Sequence, residues 1–210
     1  FKDFAPLMHG ANFRLALATN ASLPVANVAE FVRYAKAKGK VPIGSFAAGG
    51  ASHFAQVILA RATGIDPIHI PYKGSAPALI DVIGGQVPLF FANVASSLGH
   101  IQAGKLRPLG ATARRRARAL PDVPTMEEAG VPGYEVLEWN PVLAPAGLPP
   151  AIVEKLNTEA NAWLKGEAVR ARMAERGIDV VVAVIGMFAV GETLYAASRE
   201  RFIKEKVEAI

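Results

Sequence analysis

Short apolar segments alternate with amphipathic segments through the first half of the chain, and this alternation limits the fold more than any other feature. The apolar segments have the length of buried strands and lie at residues 13–17, 41–45, 68–72, 87–92 and 106–111. Segments with helical periodicity follow most of them. Strands that alternate with helices of this length form βαβ units, in which parallel strands are covered by helices on both faces. The sequence therefore predicts an α/β fold.

The sequence after residue 138 has a different organisation. A segment rich in proline and glycine, residues 139–150, indicates a crossing between two parts of the fold. The elements predicted after it are a helix at 152–165, a second short helix ending at Gly177, a strand at 178–185 and a long helix that carries Phe188, Tyr195 and Phe202. One strand cannot form a sheet by itself. This part is therefore predicted to be an incomplete lobe, whose missing strands come from the first lobe, from another chain or from a part outside this sequence.

Local signals predict where several helices begin and end. Asn27 and Glu30 are spaced as a capping box, and so are Thr125 and Glu128, which predicts a helix at each place. Gly64 follows the helix predicted after residue 51, in the position where glycine commonly ends helices.

A loop almost without side chains joins the strand at 41–45 to the next helix. Its sequence, GSFAAGGASHF over residues 44–54, places two glycines and several alanines around the helix start. The first backbone N–H groups of a helix have no partner within it, and the helix dipole favours an anion there. Glycine and alanine let a ligand approach that backbone. The loop is therefore a candidate anion site, although a plain strand-to-helix connection capped by Ser52 would have the same composition.

Two further loops follow strands in the same way. Tyr72 and Lys73 precede a helix that begins at Ser75, and Ala92 and Asn93 end the next strand. Tyr72 would supply a hydroxyl and Lys73 a positive charge to an acidic ligand. In the alternative interpretation Lys73 is a solvated turn residue and Asn93 a turn former. Because the carboxyl ends of parallel strands meet at one edge of a sheet, the three loops are predicted to converge on one binding site.

Other chemistries have weaker support in the sequence. The glycine-rich loop contains neither a Walker motif nor a G-x-G-x-x-G fingerprint. Ser52 lacks the second glycine of a nucleophile elbow, so an α/β hydrolase-like enzyme that uses Ser52 is kept only as an alternative function. The chain has no cysteine and no histidine pair at metal-ligand spacing, so no metal and no cofactor is predicted.

The chain has a net charge of +5, and much of the excess lies in the arginine run at residues 114–118. The run has no aromatic residues between its arginines and no helical reading face, so we predict a solvated loop and no nucleic-acid partner. No apolar run approaches the roughly 18 residues of a membrane span. The chain begins at Phe1 without an initiator methionine or an export signal, which leads us to expect a processed or truncated start.

Four segments together resemble one family. They are GSFAAGGASHF, HIPYKGSAPALIDVIGGQV, LPDVPTMEEAGVPGYE and LAPAGLPP, and their order and spacing are similar to those of Bug-type periplasmic solute receptors of tripartite tricarboxylate transporters. The resemblance extends from Phe1 to about Gly177. It implies a two-lobed Venus-flytrap fold of the periplasmic-binding-protein type II class, with no catalytic activity. It also implies a periplasmic protein that captures a small carboxylate solute and presents it to a membrane permease.

The resemblance further implies a division into lobes. Residues 1–10 would be an inter-lobe hinge segment, residues 11–140 a complete second lobe with the glycine-rich loop, and residues 141–210 the returning part of the first lobe. In the family, the first strands of that first lobe and another ligand loop normally precede the position of Phe1. Without them, we expect either a homo-oligomer that completes the lobe or a truncated remnant that folds as an oligomer and has no ligand affinity.

Within the glycine-rich loop the family pattern is close to G-S-x-G-x-G-S-x-S-H. Ala47 stands at a glycine position of that pattern and Gly50 at a serine position. In amino-acid binders that resemble this chain, the position of Ala92 often holds an aspartate that meets an ammonium group, so an acid without an amino group is expected here. The predicted ligand-binding residues are Ser45, Ala48, Gly49, Gly50, Ala51, Ser52, His53, Tyr72, Lys73, Ala92 and Asn93.

Overall fold

The computed structural model of the protein describes residues 3–179. The strands are β1 (Phe4–Asn20), β2 (Lys40–Ser45), β3 (Asp66–Pro71), β4 (Leu89–Asn93), β5 (Leu106–Ala111), β6 (Leu137–Pro145) and β7 (Ile178–Asp179). The helices are α1 (Val28–Lys38), α2 (Ala51–Thr63), α3 (Ser75–Ile83), α4 (Val94–Gln102), α5 (Pro150–Lys165) and α6 (Glu167–Glu175). The predicted alternation of strands and helices is confirmed as far as β5.

Five strands form the main part of one sheet, in the order β3-β2-β4-β1-β5, and β6 and β7 also pair with β1. As predicted, β2 is parallel to β3 and to β4. The expectation of parallel strands was wrong for β1, which is antiparallel to both β4 and β5. The reason is that β4 and β5, joined through α4, run in the same direction with a gap between them. β1 fills this gap in the opposite direction.

Apolar side chains are buried on both faces of this sheet. Alternate residues of β4 reveal the two faces, because Leu89 and Phe91 belong to one buried cluster whereas Phe90 and Ala92 belong to another. Helices α1 and α2 contribute to the first cluster, for example through Phe31, and α3 contributes to the second. The helices therefore cover both faces, as in other α/β folds.

A helix begins at one of the two predicted capping boxes but not at the other. Asn27 caps α1, since its side chain accepts a hydrogen bond from the N–H of Glu30 at 2.8 Å. The N–H of Glu128 donates to Thr125 Oγ1 at 3.1 Å and the N–H of Thr125 donates to Glu128 Oε2 at 2.7 Å, but only turns follow. The helix predicted there was therefore wrong. Gly130 comes two residues later with a φ of 93°, a conformation that α-helices do not contain.

Several element boundaries also differ from those predicted. Gly64 ends α2 in the left-handed conformation, as predicted. However, β1 begins at Phe4, well before the predicted strand, and the strand β6, which was not predicted, occupies much of the predicted crossing segment. β7 covers only the start of the strand predicted at 178–185. The rest of that strand and the final helix with Phe188, Tyr195 and Phe202 lie outside the described residues.

The chain divides into two compact units. Within the described residues, unit 1 comprises residues 3–11 and Trp139–Ala171, and unit 2 comprises Asn12–Glu138 and Arg172–Asp179. Unit 1 therefore contains the beginning of β1, most of β6, and α5. Unit 2 contains β2–β5 and α1–α4 together with the rest of β1, and it carries every candidate site residue.

Candidate functional site

The loops that follow β2, β3 and β4 lie at the same edge of the sheet, because these three strands are parallel neighbours. The first two loops are joined directly. The N–H of Tyr72 donates to the carbonyl of Ser45 at 2.8 Å, and the N–H of Gly74 donates to the carbonyl of Phe46 at 3.0 Å. All of the predicted site residues lie on these loops or on the strand and helix ends that flank them.

The glycine-rich loop exposes its backbone where it leads into α2. Ala48 and Gly49 are exposed, and the φ of 73° at Gly49 is a conformation that favours glycine. Gly50 is the N-cap of α2 and Ala51 is its first residue, and no side chain caps this end of the helix. Likewise, α3 begins after Gly74 with no side-chain cap. Within residues 3–179, no side chain therefore accepts from the first N–H groups of either helix, and the helix dipoles favour an anion at these ends.

Two buried hydroxyl groups hold the loop in this shape. Ser52 is fully buried, and its Oγ accepts a hydrogen bond from the N–H of Phe46 at 3.1 Å. Ser45 is also fully buried, and its Oγ lies 3.2 Å from the carbonyl oxygen of Ala47 and 2.6 Å from Nε2 of His69. Both serines therefore stabilise the loop backbone from within the fold, and Ser52 does not cap α2.

Two histidines stack beside the loop. The rings of His53 and His69 are parallel to within 4°, with centroids 3.7 Å apart. His53 Nδ1 accepts a hydrogen bond from the N–H of Gly49 at 3.1 Å, so this nitrogen carries a lone pair. Burial, followed by the nearby His53, lowers the pKa of His69 below its ordinary value. His69 was not among the predicted residues, because its place beside Ser45 results from the pairing of β2 with β3, in which Ile43 lies opposite His69.

The loop after β3 offers an exposed lysine rather than a free hydroxyl. Tyr72 donates its hydroxyl to Asp81 on α3 at 2.7 Å. Burial raises the pKa of Tyr72 to about 12, and the hydrogen bond and charge of Asp81 act in the same direction. Lys73 is exposed at the same turn. Of these two predicted residues, Lys73 is therefore exposed, whereas the hydroxyl of Tyr72 already has a partner in Asp81.

The end of β4 places its two predicted residues in different environments. Ala92 is fully buried in the apolar cluster that contains Phe90. Asn93 caps α4, since its Oδ1 accepts a hydrogen bond from the N–H of Ala95 at 2.9 Å, and its Nδ2 donates to Oε2 of Glu138 at 2.8 Å. Glu138 was not predicted. It lies 45 residues from Asn93 in the sequence, and no local pattern connects the two.

The two departures from the family pattern, Ala47 and Gly50, are neighbours in space. A Cβ atom added to Gly50 would lie 3.0 Å from the Cβ of Ala47 and 3.4 Å from its carbonyl oxygen. Carbon atoms in good contact are about 3.5–4.0 Å apart. A side chain at residue 50 would therefore require Ala47 to move by a few tenths of an ångström, so the two departures are in direct contact and their effects are expected to be coupled.

The described residues offer little for hydrolase or metal chemistry. The hydroxyl of Ser52 is buried and bonded to a backbone N–H, while Nδ1 of His53 is bonded to Gly49, so the two are not arranged as nucleophile and base. Among residues 3–179, no group of three or more histidine, cysteine, aspartate or glutamate side chains could hold a metal ion. In the same part of the chain, every helix is too short or too polar to cross a membrane.

The arginine run after β5 is partly neutralised by glutamates. Arg114 Nε lies 2.6 Å from Oε2 of Glu135, and Arg116 Nε lies 2.8 Å from Oε2 of Glu128. Arg116 also donates to the carbonyl of Pro121 at 3.1 Å. These contacts fit the predicted surface loop.

Comparison with known proteins identifies a single family. Residues 1–186 match the family described as the tripartite tricarboxylate transporter family receptor. The chain is 34% identical to the protein BugT of Bordetella pertussis over 183 residues, which is 87% of this chain and 56% of BugT. It is 33% identical over 209 residues to the UPF0065 protein in the tcbD-tcbE intergenic region of Pseudomonas sp. strain P51, covering 99% of this chain and 61% of that protein.

Solved structures give the same result. The Rhodopseudomonas palustris protein Rpa4515, determined with adipate, has a TM-score of 0.83 and 37% identity, with 85% of this chain and 60% of that chain covered. MatC of the same organism, with bound malate, has a TM-score of 0.77 and 30% identity, with 84% and 60% covered. The periplasmic binding protein BugD has a TM-score of 0.80 and 32% identity, with 85% and 60% covered. The chain thus spans about 60% of the length of these structures.

Proposed function

Because the chain belongs to the tripartite tricarboxylate transporter receptor family, we propose that it forms part of a solute-binding receptor for a small organic acid. The predicted family and its periplasmic-binding-protein fold are confirmed by the family match and by the similar structures. This is a family of receptors and not of enzymes, which supports the proposal that the chain captures its ligand without chemical change.

The observation that carries this proposal is the start of α2, which has no side-chain cap and directly follows the exposed residues Ala48 and Gly49. Gly49 and Gly50 remove side chains from the approach, and Ala51 presents the N–H of the first helical residue without a competing cap. A carboxylate that accepts these N–H groups would also gain from the helix dipole. The positive charge of Lys73, on the neighbouring loop, favours the same ligand.

The chemistry of the solute and the destination of the complex are further proposals. Two of the similar structures contain adipate and malate, which supports a carboxylate ligand here. The family description and the periplasmic binding protein BugD support delivery to a membrane permease from an extracytoplasmic location. We also propose that residues 11–140 act as the second lobe, with residues 1–10 as the hinge and residues 141–210 as the returning part of the first lobe.

A thermal-shift panel on the chain of 210 residues tests the proposal. The panel contains mono- and dicarboxylates, including adipate and malate, and calorimetry then measures the affinity of each acid that raises the melting temperature. A ligand that binds only the folded state raises the melting temperature by mass action. If no acid does so, the proposal fails and the remnant without ligand affinity is the better description. Native mass spectrometry would then report the size of its oligomer.

Ala51→Pro tests the anion site itself. Proline removes the N–H of residue 51 but suits the first position of a helix, and Gly50, with φ −88° and ψ 177°, has the conformation preferred before proline. We expect acid affinity to fall about tenfold or more through the loss of a charge-assisted hydrogen bond. Glu167→Pro is the matched control at the first position of α6, where Gly166 has φ −57° and ψ 130°. Equal loss of affinity in both variants would contradict the assigned anion site.

A further inference from the structure

Glu138 brings a carboxylate to the edge of the sheet that carries the candidate anion site. The residue is half-buried, and its Oε2 accepts a hydrogen bond from Nδ2 of Asn93 at 2.8 Å. Asn93 is itself held by the cap of α4, where its Oδ1 accepts from Ala95 and Ser96. The contact therefore fixes the position of the carboxylate against a rigid strand-to-helix junction.

The junction lies next to the glycine-rich loop. β4 and β2 are parallel neighbours in which Gly44 lies opposite Phe90, and both chains continue beyond this pair toward the same edge. Neighbouring strands are about 4.8 Å apart. One side of this edge therefore offers the N–H groups at the start of α2, whereas the other side offers the carboxylate of Glu138. The N–H groups favour a negatively charged part of a ligand, whereas the carboxylate favours a positively charged part.

The charge of Glu138 is not neutralised by a basic side chain within residues 3–179. Its recorded partner there is the neutral amide of Asn93, which leaves a carboxylate that only accepts hydrogen bonds. By contrast, Glu135 pairs with Arg114 and Glu128 pairs with Arg116. A half-buried carboxylate with no cationic partner among residues 3–179 favours a ligand that supplies a cation and disfavours a second ligand carboxylate at the same place.

We propose that Glu138 is a specificity-determining residue and that the ligand is a small acid that also carries an ammonium group. The inference rests on the proposed function, because the ligand carboxylate is the group that binds at the start of α2. It reverses the expectation, drawn from Ala92, that the ligand is an acid without an amino group. The side chain of Ala92 is fully buried among apolar residues, so the absence of an aspartate there does not exclude an ammonium near Glu138.

Calorimetry with matched ligands tests this inference. The ligands are succinate against aspartate and glutarate against glutamate, which differ in each pair only by the amino group. Glu138→Gln keeps an oxygen acceptor for Asn93 and removes the charge, and Glu135→Gln makes the same charge change at an exposed ion pair. We expect the wild type and Glu135→Gln to prefer the amino member by about tenfold or more, and Glu138→Gln to lose this preference.

Each other outcome overturns a distinct claim. If the unsubstituted diacids bind at least as well as the amino acids in the wild type, the role of Glu138 is refuted and the proposed function survives. If Glu138→Gln lowers the melting temperature but leaves the ligand preference unchanged, Glu138 only supports Asn93 and the inference fails. If neither these ligands nor the wider panel of acids binds, the proposed function fails together with the inference.

Discussion

Among residues 3–179, the two compact units differ in how much apolar surface they bury. Unit 2 has a continuous core on both faces of its sheet, with fully buried side chains that include Phe31, Phe90 and Phe91. In unit 1 the buried apolar residues among those described are Met8, Ala144, Val153 and Leu164. The large apolar side chains of unit 1 that are exposed are Phe4, Trp139, Val142, Leu143, Ile152, Leu156 and Trp163.

The difference follows from the number of strands available to each unit. The sheet of unit 2 is wide enough for helices to bury their apolar faces on both sides of it. The described strands of unit 1 are β6 and the first part of β1, and two strands rarely form a stable layer by themselves. Helix α5 therefore buries Val153 and Leu164 but exposes Ile152, Leu156 and Trp163. Among the described residues, α5 is thus a regular helix with much of its apolar surface exposed.

Paired truncations of aromatic side chains test this difference most directly. Phe91→Ala removes a fully buried ring from unit 2 and should lower the free energy of unfolding by about 3–5 kcal/mol. Trp163→Ala removes a ring that is 59% exposed in unit 1 and should change it by no more than about 0.5 kcal/mol. Urea unfolding measures both. A large cost for Trp163→Ala would refute the open face of α5, and its dependence on protein concentration would identify a second copy as the cover.

A second test asks whether the dense packing of unit 2 extends to its glycine-rich loop. Gly50→Ala places a Cβ 3.0 Å from that of Ala47 and should destabilise the wild type, whereas the same change should be tolerated after Ala47→Gly. We expect a coupling free energy of about 1–2 kcal/mol from the double-mutant cycle. Independent, additive effects would show that the two departures from the family pattern are unrelated. Replacing both residues as Ala47→Gly with Gly50→Ser would then show whether the added hydroxyl raises acid affinity.

The buried tyrosine of unit 2 provides a test that depends on pH. The hydroxyl of Tyr134 donates to the carbonyl of Ala55 at 2.7 Å, and burial raises the pKa of Tyr134. Tyr134→Phe removes this hydrogen bond and should lower the free energy of unfolding by about 1.5 kcal/mol at neutral pH. The folded state favours the protonated form of Tyr134. The stabilisation from the Tyr134 hydroxyl is therefore complete below a pH of about 10, the ordinary tyrosine pKa, and it decreases as the pH rises above that value. Stability of Tyr134→Phe should therefore fall less steeply above pH 10, and equal slopes would contradict a buried hydroxyl.

Much of unit 2 could be predicted from local sequence because local chemistry determines its elements. The glycine-rich turn, the end of α2 at Gly64 and the cap of α1 at Asn27 each depend on residues only a few positions apart. The direction of β1 and the formation of β6 depend on which strands remain unpaired elsewhere in the sheet. The capping box of Thr125 and Glu128 shows that a local signal does not determine an element by itself, since its hydrogen bonds form although turns, not a helix, follow.

The candidate site could be predicted only in part for the same reason. The loops were predicted from their glycines and from the strand ends that precede them. The contacts that support them, Ser45 with His69 and Asn93 with Glu138, join residues 24 and 45 positions apart. Neither pair has a sequence signature, because strand register and the route of the chain bring them together. The predicted hydroxyls of Ser45 and Ser52 lie within the fold, whereas Ala48 and Gly49 of the same loop are exposed.

A small loss of stability is predicted for the cap of α1, the first helix of unit 2. Asn27→Ala removes the acceptor for the N–H of Glu30 and should cost about 1 kcal/mol. Asn27→Asp keeps an acceptor and should retain nearly all of the stability, with a small gain from the negative charge at the helix start. Equal losses in the two variants would show that the amide donor of Asn27, 3.0 Å from Glu30 Oε1, contributes more than the cap. In unit 1, α5 begins after Pro149 without a side-chain cap, so its start has no equivalent interaction to lose.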